Sequence, residues 1–440
     1  MNLREKIDIS PMSGYQWAIV AMAAIMNLLD GFDVLALAFT ASSIKAEFAL
    51  TGVQLGYLLS AGLIGMTAGS LFLAPLADKI GRRPLLLIAI ALSALGMFGS
   101  AFIEHHETLF GWRLLTGLGV GGILVGTNVL TSEYSSRKWR SFAISVYAAG
   151  FGVGAVLGGF FAVALQDVYG WRAVYLAGAG LTGLCFIILF AWLPESIDFL
   201  LNKQPFNAQK QLNKITQKMG LGKDWTLPEK ISHDQGLSAV KKLPISPLFS
   251  AQYLRSTLLI WTAFFAIMFS FYFVSSWTPA LLKDAGMSEN ASIVVGMMIS
   301  IGGTVGSLCY GLLASRWSAR HVLMLFTVLS SCAIIIFIFS SSILWLAMVF
   351  GVLVGALMNG CISGLYTLNP NIYAADIRST GVGWSIGIGR IGSILAPTIA
   401  GSLLDFGWQK QSLYIAVGFV LLIAVIALYF LKRPTKIQAV

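Results

Sequence analysis

The chain has 440 residues, of which 57% are hydrophobic and only 11% charged, with a net charge of +10 and a mean hydropathy of +0.80. Soluble globular chains do not have this composition, so the sequence describes a multispanning membrane protein. The positive balance follows from topology, and a nucleic-acid partner has no support.

The first ten residues are polar. The apolar segment after them is too long for a signal peptide and lacks a small-residue cleavage site, so it is expected to remain as an anchor. Runs near the length needed to cross about 30 Å of hydrocarbon follow in order at 15–38, 53–77, 84–103, 108–131, 141–166, 171–193, 256–280, 291–313, 321–340, 342–366, 379–404 and 411–431. These long continuous runs predict an all-α membrane protein of twelve spans and exclude the short alternating segments of a β-barrel. Lys79, Arg82, Arg83, Arg137, Lys138, Arg140, Arg316, Arg320, Arg378 and the tail residues Lys432, Arg433 and Lys436 lie on one side, as do the lysines from Lys203 to Lys242. The other side shows only Lys45, Arg172, Lys283 and Lys410. The positive-inside rule then places both termini and the long central connection in the cytoplasm.

In span 1, Asn27, Asp30 and Asp33 recur every three residues and so descend one helix face. At 1.5 Å per residue the two aspartates lie roughly 20 to 27 Å from the cytoplasmic end, and Arg113 of span 4 lies roughly 7 Å in from the outside. Those depths match, so either aspartate can pair with Arg113. Charges inside a membrane mark function by default. Two roles stay open for this trio: proton coupling, in which burial, a second carboxylate and a guanidinium pull the proton affinity in opposing directions, or a structural ion pair between spans 1 and 4.

The next charge within a span is Arg390, about ten residues into span 11 and near the midplane, between Gly387, Gly389 and Gly392. That span has no acidic residue near it. Its guanidinium suits either a substrate carboxylate, held bidentately, or an acid on another span. Span 7 crowds Trp261, Phe264, Phe265, Phe269, Phe271, Tyr272, Phe273 and Trp277 together. Phe269, Tyr272 and Trp277, with Asn27 and with Asn359 and Tyr366 of span 10, are the candidate substrate contacts; ordinary packing is the competing role for each. The glycine runs 117–126 and 150–159 read as helix-packing surfaces, since no strand precedes them as a phosphate loop requires. Cys185, Cys309, Cys332 and Cys361 all fall within spans as reduced packing residues; no metal site and no cofactor are expected.

The chain repeats itself. Gly69-Ser70-Leu71 through Asp78 to Arg83 aligns without gaps on Gly306-Ser307-Leu308 through Ser315 to Arg320, and Arg140-Ser141 and Gly154 align on Arg378-Ser379 and Gly392. This predicts two pseudo-symmetric six-helix halves, residues 1–194 and 256–440. They are joined by a lysine- and proline-bearing cytoplasmic connection, 195–255, with a short surface helix near 208–218. Parallel repeats with a site at their interface are a transporter architecture that works by alternating access. Gly152 stands at the position equivalent to Arg390, so the symmetry is broken there.

With these residues in view, the chain resembles the major facilitator superfamily over nearly its whole length. The turn Asp78-Lys79-Ile80-Gly81-Arg82-Arg83-Pro84 is similar to the signature between helices 2 and 3, and Arg113 with Gly117, Gly119, Gly121 and Gly122 to that on helix 4. Asp30-Gly31-Phe32-Asp33 with Arg390 is similar to the pattern of the aromatic acid:proton symporters. Two departures stand out: Ala74 where the signature has glycine, and Ser315 where the second copy would carry an acid. The resemblance implies a multi-pass inner-membrane symporter, monomeric, importing benzoate- or hydroxybenzoate-type anions with protons, as in aromatic hydrocarbon catabolism. It also implies a cytoplasmic gate, for which Asp78, Gly81, Arg82, Arg83, Glu133, Arg140 and Arg320 are the candidates; topology alone would also place the basic residues there. Competing expectations are a symporter for a nonaromatic acid such as muconate, a proton-coupled exporter, disfavoured by Gly154-Ala155 where exporters carry Gly-Pro, and a sensor that binds without transport. No nucleophile and base can be assembled, so an enzyme is the least supported class.

Overall fold

A computed structural model describes residues 3–222, 225, 227, 246–374 and 377–431. Twelve helices among the described residues are long and apolar enough to cross a membrane. In chain order the helices are α1 (Leu3–Ile9), α2 (Gly14–Phe48), α3 (Gly52–Ile80), α4 (Arg82–Ser100), α5 (His106–Tyr134), α6 (Arg140–Tyr169), α7 (Trp171–Trp192), α8 (Ile197–Lys203), α9 (Ala208–Lys218), α10 (Leu254–Asp284), α11 (Glu289–Arg316), α12 (Ala319–Ser340), α13 (Leu344–Leu368), α14 (Arg378–Asp405) and α15 (Lys410–Phe430). Hydrocarbon offers no partner to a bare peptide group, so each apolar run satisfies its backbone internally as a helix.

The predicted spans coincide with these helices except at α2, which continues ten residues past its expected end at 38. Residues 39–48 contain neither glycine nor proline, and Phe39, Ala41 and Ile44 on this extension are buried. The extension is thus carried by a buried apolar stripe, with Glu47 exposed and Ser42, Ser43 and Lys45 half-buried. The surface helix expected near 208–218 is α9, whose Leu212 and Ile215 pack in one cluster with Leu3 and Ile7 of α1 and Ile197 and Leu200 of α8. The polar N-terminal segment is therefore a docked helix, held by two inward apolar residues. The tail lysines and those of residues 228–245 lie outside the described residues.

By its contacts the chain forms two compact units, Met1–Ala36 with Ala61–His233, and Leu37–Ser60 with Asp234–Val440. The division follows the sequence repeat except at residues 37–60, the end of α2 and the start of α3, which group with the second set of six helices.

Inside the first unit, helices approach through glycine. Gly65 and Gly69 of α3 face the backbone oxygens of Leu114 and Leu118 on α5, and Gly154 of α6 faces that of Leu28 on α2, with no room for a Cβ at any of them. Inside the second unit Gly302 and Gly306 of α11 face the oxygens of Val352 and Ala356 on α13, and Gly392 of α14 faces that of Phe265 on α10. Each contact is the repeat partner of one in the first unit. Such close approach substitutes for the hydrophobic drive that lipid cannot provide. Exchange of Gly154 for Val is expected to cost on the order of 1–3 kcal/mol by overpacking, read as a lower melting temperature in detergent. Gly180→Val, at a glycine with open space around it, is expected to leave the melt unchanged.

Candidate functional site

The first unit buries an ion pair. Arg113 Nη1 donates to Asp33 Oδ1 at 2.6 Å, and its Nη2 donates to Asp33 Oδ2 at 3.3 Å and to the Asp33 carbonyl at 3.0 Å. Arg113 and Asp33 are 2% and 1% exposed, so water screens neither. The guanidinium also lies 5.8 Å from the Tyr175 ring centroid. Of the two aspartates able to reach Arg113, the structure selects Asp33. Asp30, one turn away, is equally buried and lies within electrostatic reach of Tyr147. Asn27, the third member of the stripe, donates to the Tyr147 carbonyl at 2.9 Å and so ties α2 to α6.

Glycine sets this register. Gly31, between the two aspartates, lies against the Phe151 backbone of α6, where a side chain would collide, and Phe32 fills the space beside Gly158 and Gly178. The Asp-Gly-Phe-Asp run therefore combines two buried carboxylates with the packing that fixes their rotation.

In the second unit, Arg390 Nη1 donates to the Tyr272 hydroxyl at 3.3 Å. The Tyr366 phenol lies within electrostatic reach of both, and its ring meets Phe264 edge-on at 6.0 Å. Gly389 leaves space that Met268 and Phe264 occupy. The remaining expected contacts have neighbours of their own. Phe269 stacks on Phe265 at 6.0 Å. Trp277 is 1% exposed and donates its indole N–H to the Pro397 carbonyl at 3.1 Å, so it is a packing residue with its donor committed. Asn359 donates to the Gly355 carbonyl at 3.3 Å and packs on Gly303.

Of the expected gate residues, Asp78, Gly81, Arg82, Arg83 and Glu133 gather around the turn between α3 and α4. Gly81 has φ +102°, a conformation that favours glycine, and the Glu195 carboxylate occupies the place a Cβ would take. Sequence reading missed Glu195. Its Oε1 accepts the backbone N–H groups of Arg82 at 2.8 Å, Arg83 at 3.1 Å and Ser196 at 2.8 Å, capping α4 with a negative charge where the helix dipole favours one. The available signal was an acid directly after a span, followed by a serine: Ser196 caps α8 and donates to Glu133 at 2.5 Å. Arg82 bridges to Glu133 at 3.4 Å and to Asp78 at 3.7 Å, and the Asp78 side chain is 72% exposed. Arg140 pairs with Asp8 of α1, and Arg4 donates to the Glu133 carbonyl at 2.6 Å, two contacts absent from the sequence reading. Arg83 donates to the carbonyls of Leu193 at 2.9 Å and Phe190 at 2.6 Å, at the end of α7. Its repeat partner Arg320 does the same for Leu428 and Tyr429 of α15.

Comparison with known proteins fits this arrangement. The family model described as Major Facilitator Superfamily matches residues 23–308 and 291–440. The chain is 32% identical to the gallate transporter of Pseudomonas putida, covering 97% of this chain and 94% of that one. It is 31% identical to the 4-hydroxybenzoate transporter PcaK of Pseudomonas aeruginosa, over 95% and 92% respectively. With the benzoate transport protein of Acinetobacter baylyi it shares 26%, over 100% and 94%. Among solved structures, the inward-open xylose transporter XylE of E. coli superimposes with a TM-score of 0.74 at 16% identity, over 96% and 98% of the two chains. The chain belongs to the Major Facilitator Superfamily, and it is a multi-pass bacterial inner-membrane transporter rather than an enzyme.

Removing one partner of a buried pair strands the other charge. Arg113→Ala is therefore expected to cost about 3–5 kcal/mol of stability, read as a fall in melting temperature or loss of the monodisperse peak. Combining it with Asp33→Asn is expected to recover part of that loss.

Proposed function

We propose that this transporter carries aromatic carboxylates of the benzoate and hydroxybenzoate type across the inner membrane together with protons, by alternating access. The observation that carries the substrate reading is the Arg390–Tyr272 pair with Tyr366 beside it. A guanidinium holds a carboxylate bidentately. Tyr272, which accepts from Arg390, keeps its own O–H proton to donate, and the exposed ring of Tyr366, backed by the buried Phe264, offers an apolar surface to an aromatic ring. The relatives named for gallate, 4-hydroxybenzoate and benzoate, matched over nearly their whole length, support the same class.

Asp33 with Arg113, and Asp30 one turn away, are the proton-coupling group in this reading. A carboxylate held by one guanidinium and shut from water exchanges a proton only when the site opens, which ties protonation to the access state. An accompanying proton also removes the cost of moving a monoanion into a negative interior, about 2.3 kcal/mol per 100 mV. Asp78, Arg82, Glu133 and Arg140 serve as the cytoplasmic gate, with Gly81, Arg83 and Arg320 fixing the turns and helix ends around it, and the working unit is the monomer.

The test is uptake of labelled 4-hydroxybenzoate into proteoliposomes with an acidic exterior. Accumulation is expected to collapse with a protonophore and to be blocked by benzoate but not by a neutral aromatic. Arg390→Ala removes hydrogen bonds to a charged group, so apparent affinity should fall about tenfold or more. Asp33→Asn should abolish gradient-driven accumulation. Stronger competition by muconate would move the substrate to nonaromatic acids, and efflux driven by the opposite gradient would make the protein an exporter.

A further inference from the structure

At the start of α2 and α6, away from the buried charges, three rings of the first unit close on one another. Trp17 and Trp139 lie 6.1 Å apart, Trp17 and Phe142 6.0 Å, and Trp139 and Phe142 5.9 Å, all edge to face. Lys138 Nζ stands 5.6 Å from the Trp139 ring centroid. Trp139 and Phe142 are 38% and 54% exposed, and Arg137 and Lys138 are exposed beside them. Arg137 is fixed through its backbone, whose N–H donates to the Asp8 carbonyl at 3.1 Å, with its side chain at the surface. α6 begins here with no side-chain cap and no acid in its first turn, so its positive end adds to the two cations. No acidic residue lies between Ile9 and Leu29 or between Ser135 and Gln166.

An apolar crease continues from the rings. Along α2 the exposed residues Ala18, Ala21 and Ile25 share one face, as do Phe142, Val153 and Phe160 along α6. Between these faces the backbones touch, Gly150 on the Ala24 oxygen and Gly154 on that of Leu28. The Trp17–Phe142 contact puts both stripes on the same side of that line. From Phe142 to Val153 the crease runs about 17 Å at 1.5 Å per residue, close to half of the roughly 30 Å of hydrocarbon.

We propose that this corner binds one anionic phospholipid of the cytoplasmic leaflet. The phosphate lies by Arg137, Lys138 and the start of α6, the glycerol at the level of Trp17 and Trp139, and one acyl chain along the crease. The positive-inside rule puts this end of the spans at the cytoplasmic surface, where each basic residue strengthens the hold on anionic lipid. Indole rings suit the boundary, with an apolar body for the chain and an N–H for ester oxygens. A zwitterionic lipid fits the same crease but brings an ammonium to a corner that is already cationic, so charge selects the anionic headgroup.

The test is native mass spectrometry of the full chain in detergent, titrated with phosphatidylglycerol or with phosphatidylcholine of the same acyl chains. It needs no substrate, so its outcome is independent of the transport reading. Phosphatidylglycerol is expected to bind at least tenfold more tightly. Arg137→Gln with Lys138→Gln should remove most of that preference, about fivefold per cation. Lys210→Gln with Lys214→Gln, at two exposed lysines of α9, should leave it intact. Ala21→Phe, which fills the crease without changing charge, should weaken binding of both lipids. Equal affinity for the two lipids, or equal losses in the two double variants, overturns the site. Unchanged phosphatidylglycerol binding in Ala21→Phe, or full competition by soluble glycerol phosphate, reduces it to a site for soluble anions and overturns the lipid.

Discussion

Helices in hydrocarbon gain nothing by hiding apolar side chains from one another, so this structure depends on how closely their backbones can approach. Glycine is the device at every crossing that matters. Gly154 against Leu28 and Gly31 against Phe151 fix α2 to α6, and Gly65 and Gly69 fix α3 to α5. These contacts settle the rotation and depth of α2 and α5, and with them the meeting of Asp33 and Arg113. The ion pair is thus a consequence of backbone packing before it is a contribution to stability.

Against that repeated frame, the charges are placed asymmetrically. The repeat partners of Asp33 and Arg113 are Ser270 and Gly351, and the partner of Arg390 is Gly152. Each unit keeps the same glycine crossings and the same arginine on the terminal carbonyls of its sixth spanning helix, Arg83 or Arg320. What differs is chemistry: a carboxylate–guanidinium pair in one, and a guanidinium with two phenols in the other. Duplicated packing with unduplicated charge is what a carrier needs when proton and substrate are handled by different groups.

The corner around Gly81 shows how a short signature acquires its meaning from residues far along the chain. Glu195 caps α4 from more than a hundred positions away, and it does so because Gly81 leaves the space. Glu133 is reached by Arg82, Ser196 and, through its carbonyl, Arg4. The N-terminal helix and α8 therefore belong to the same electrostatic assembly as the turn, and any movement of α4 and α5 is felt by both.

The sequence alone determined the twelve spans, their pairing into two repeats, the surface helix at 208–218 and the identity of the four intramembrane charges. Each of these is written locally, in apolar length, in glycine spacing or in the cost of a charge in lipid. It also narrowed Arg113 to two partners by depth alone. Only the tertiary structure decided that Asp33 and not Asp30 takes the guanidinium, since that depends on helix rotation set by Gly31 and Gly154. It also committed Trp277 to a carbonyl of α14, and brought in Glu195, Asp8 and Arg4, whose partners lie more than a hundred residues away. Residues 37–60 make the same point: composition marks them as the start and end of spans, but which helices they lie against is set by where two smooth glycine faces meet, and no local pattern records that.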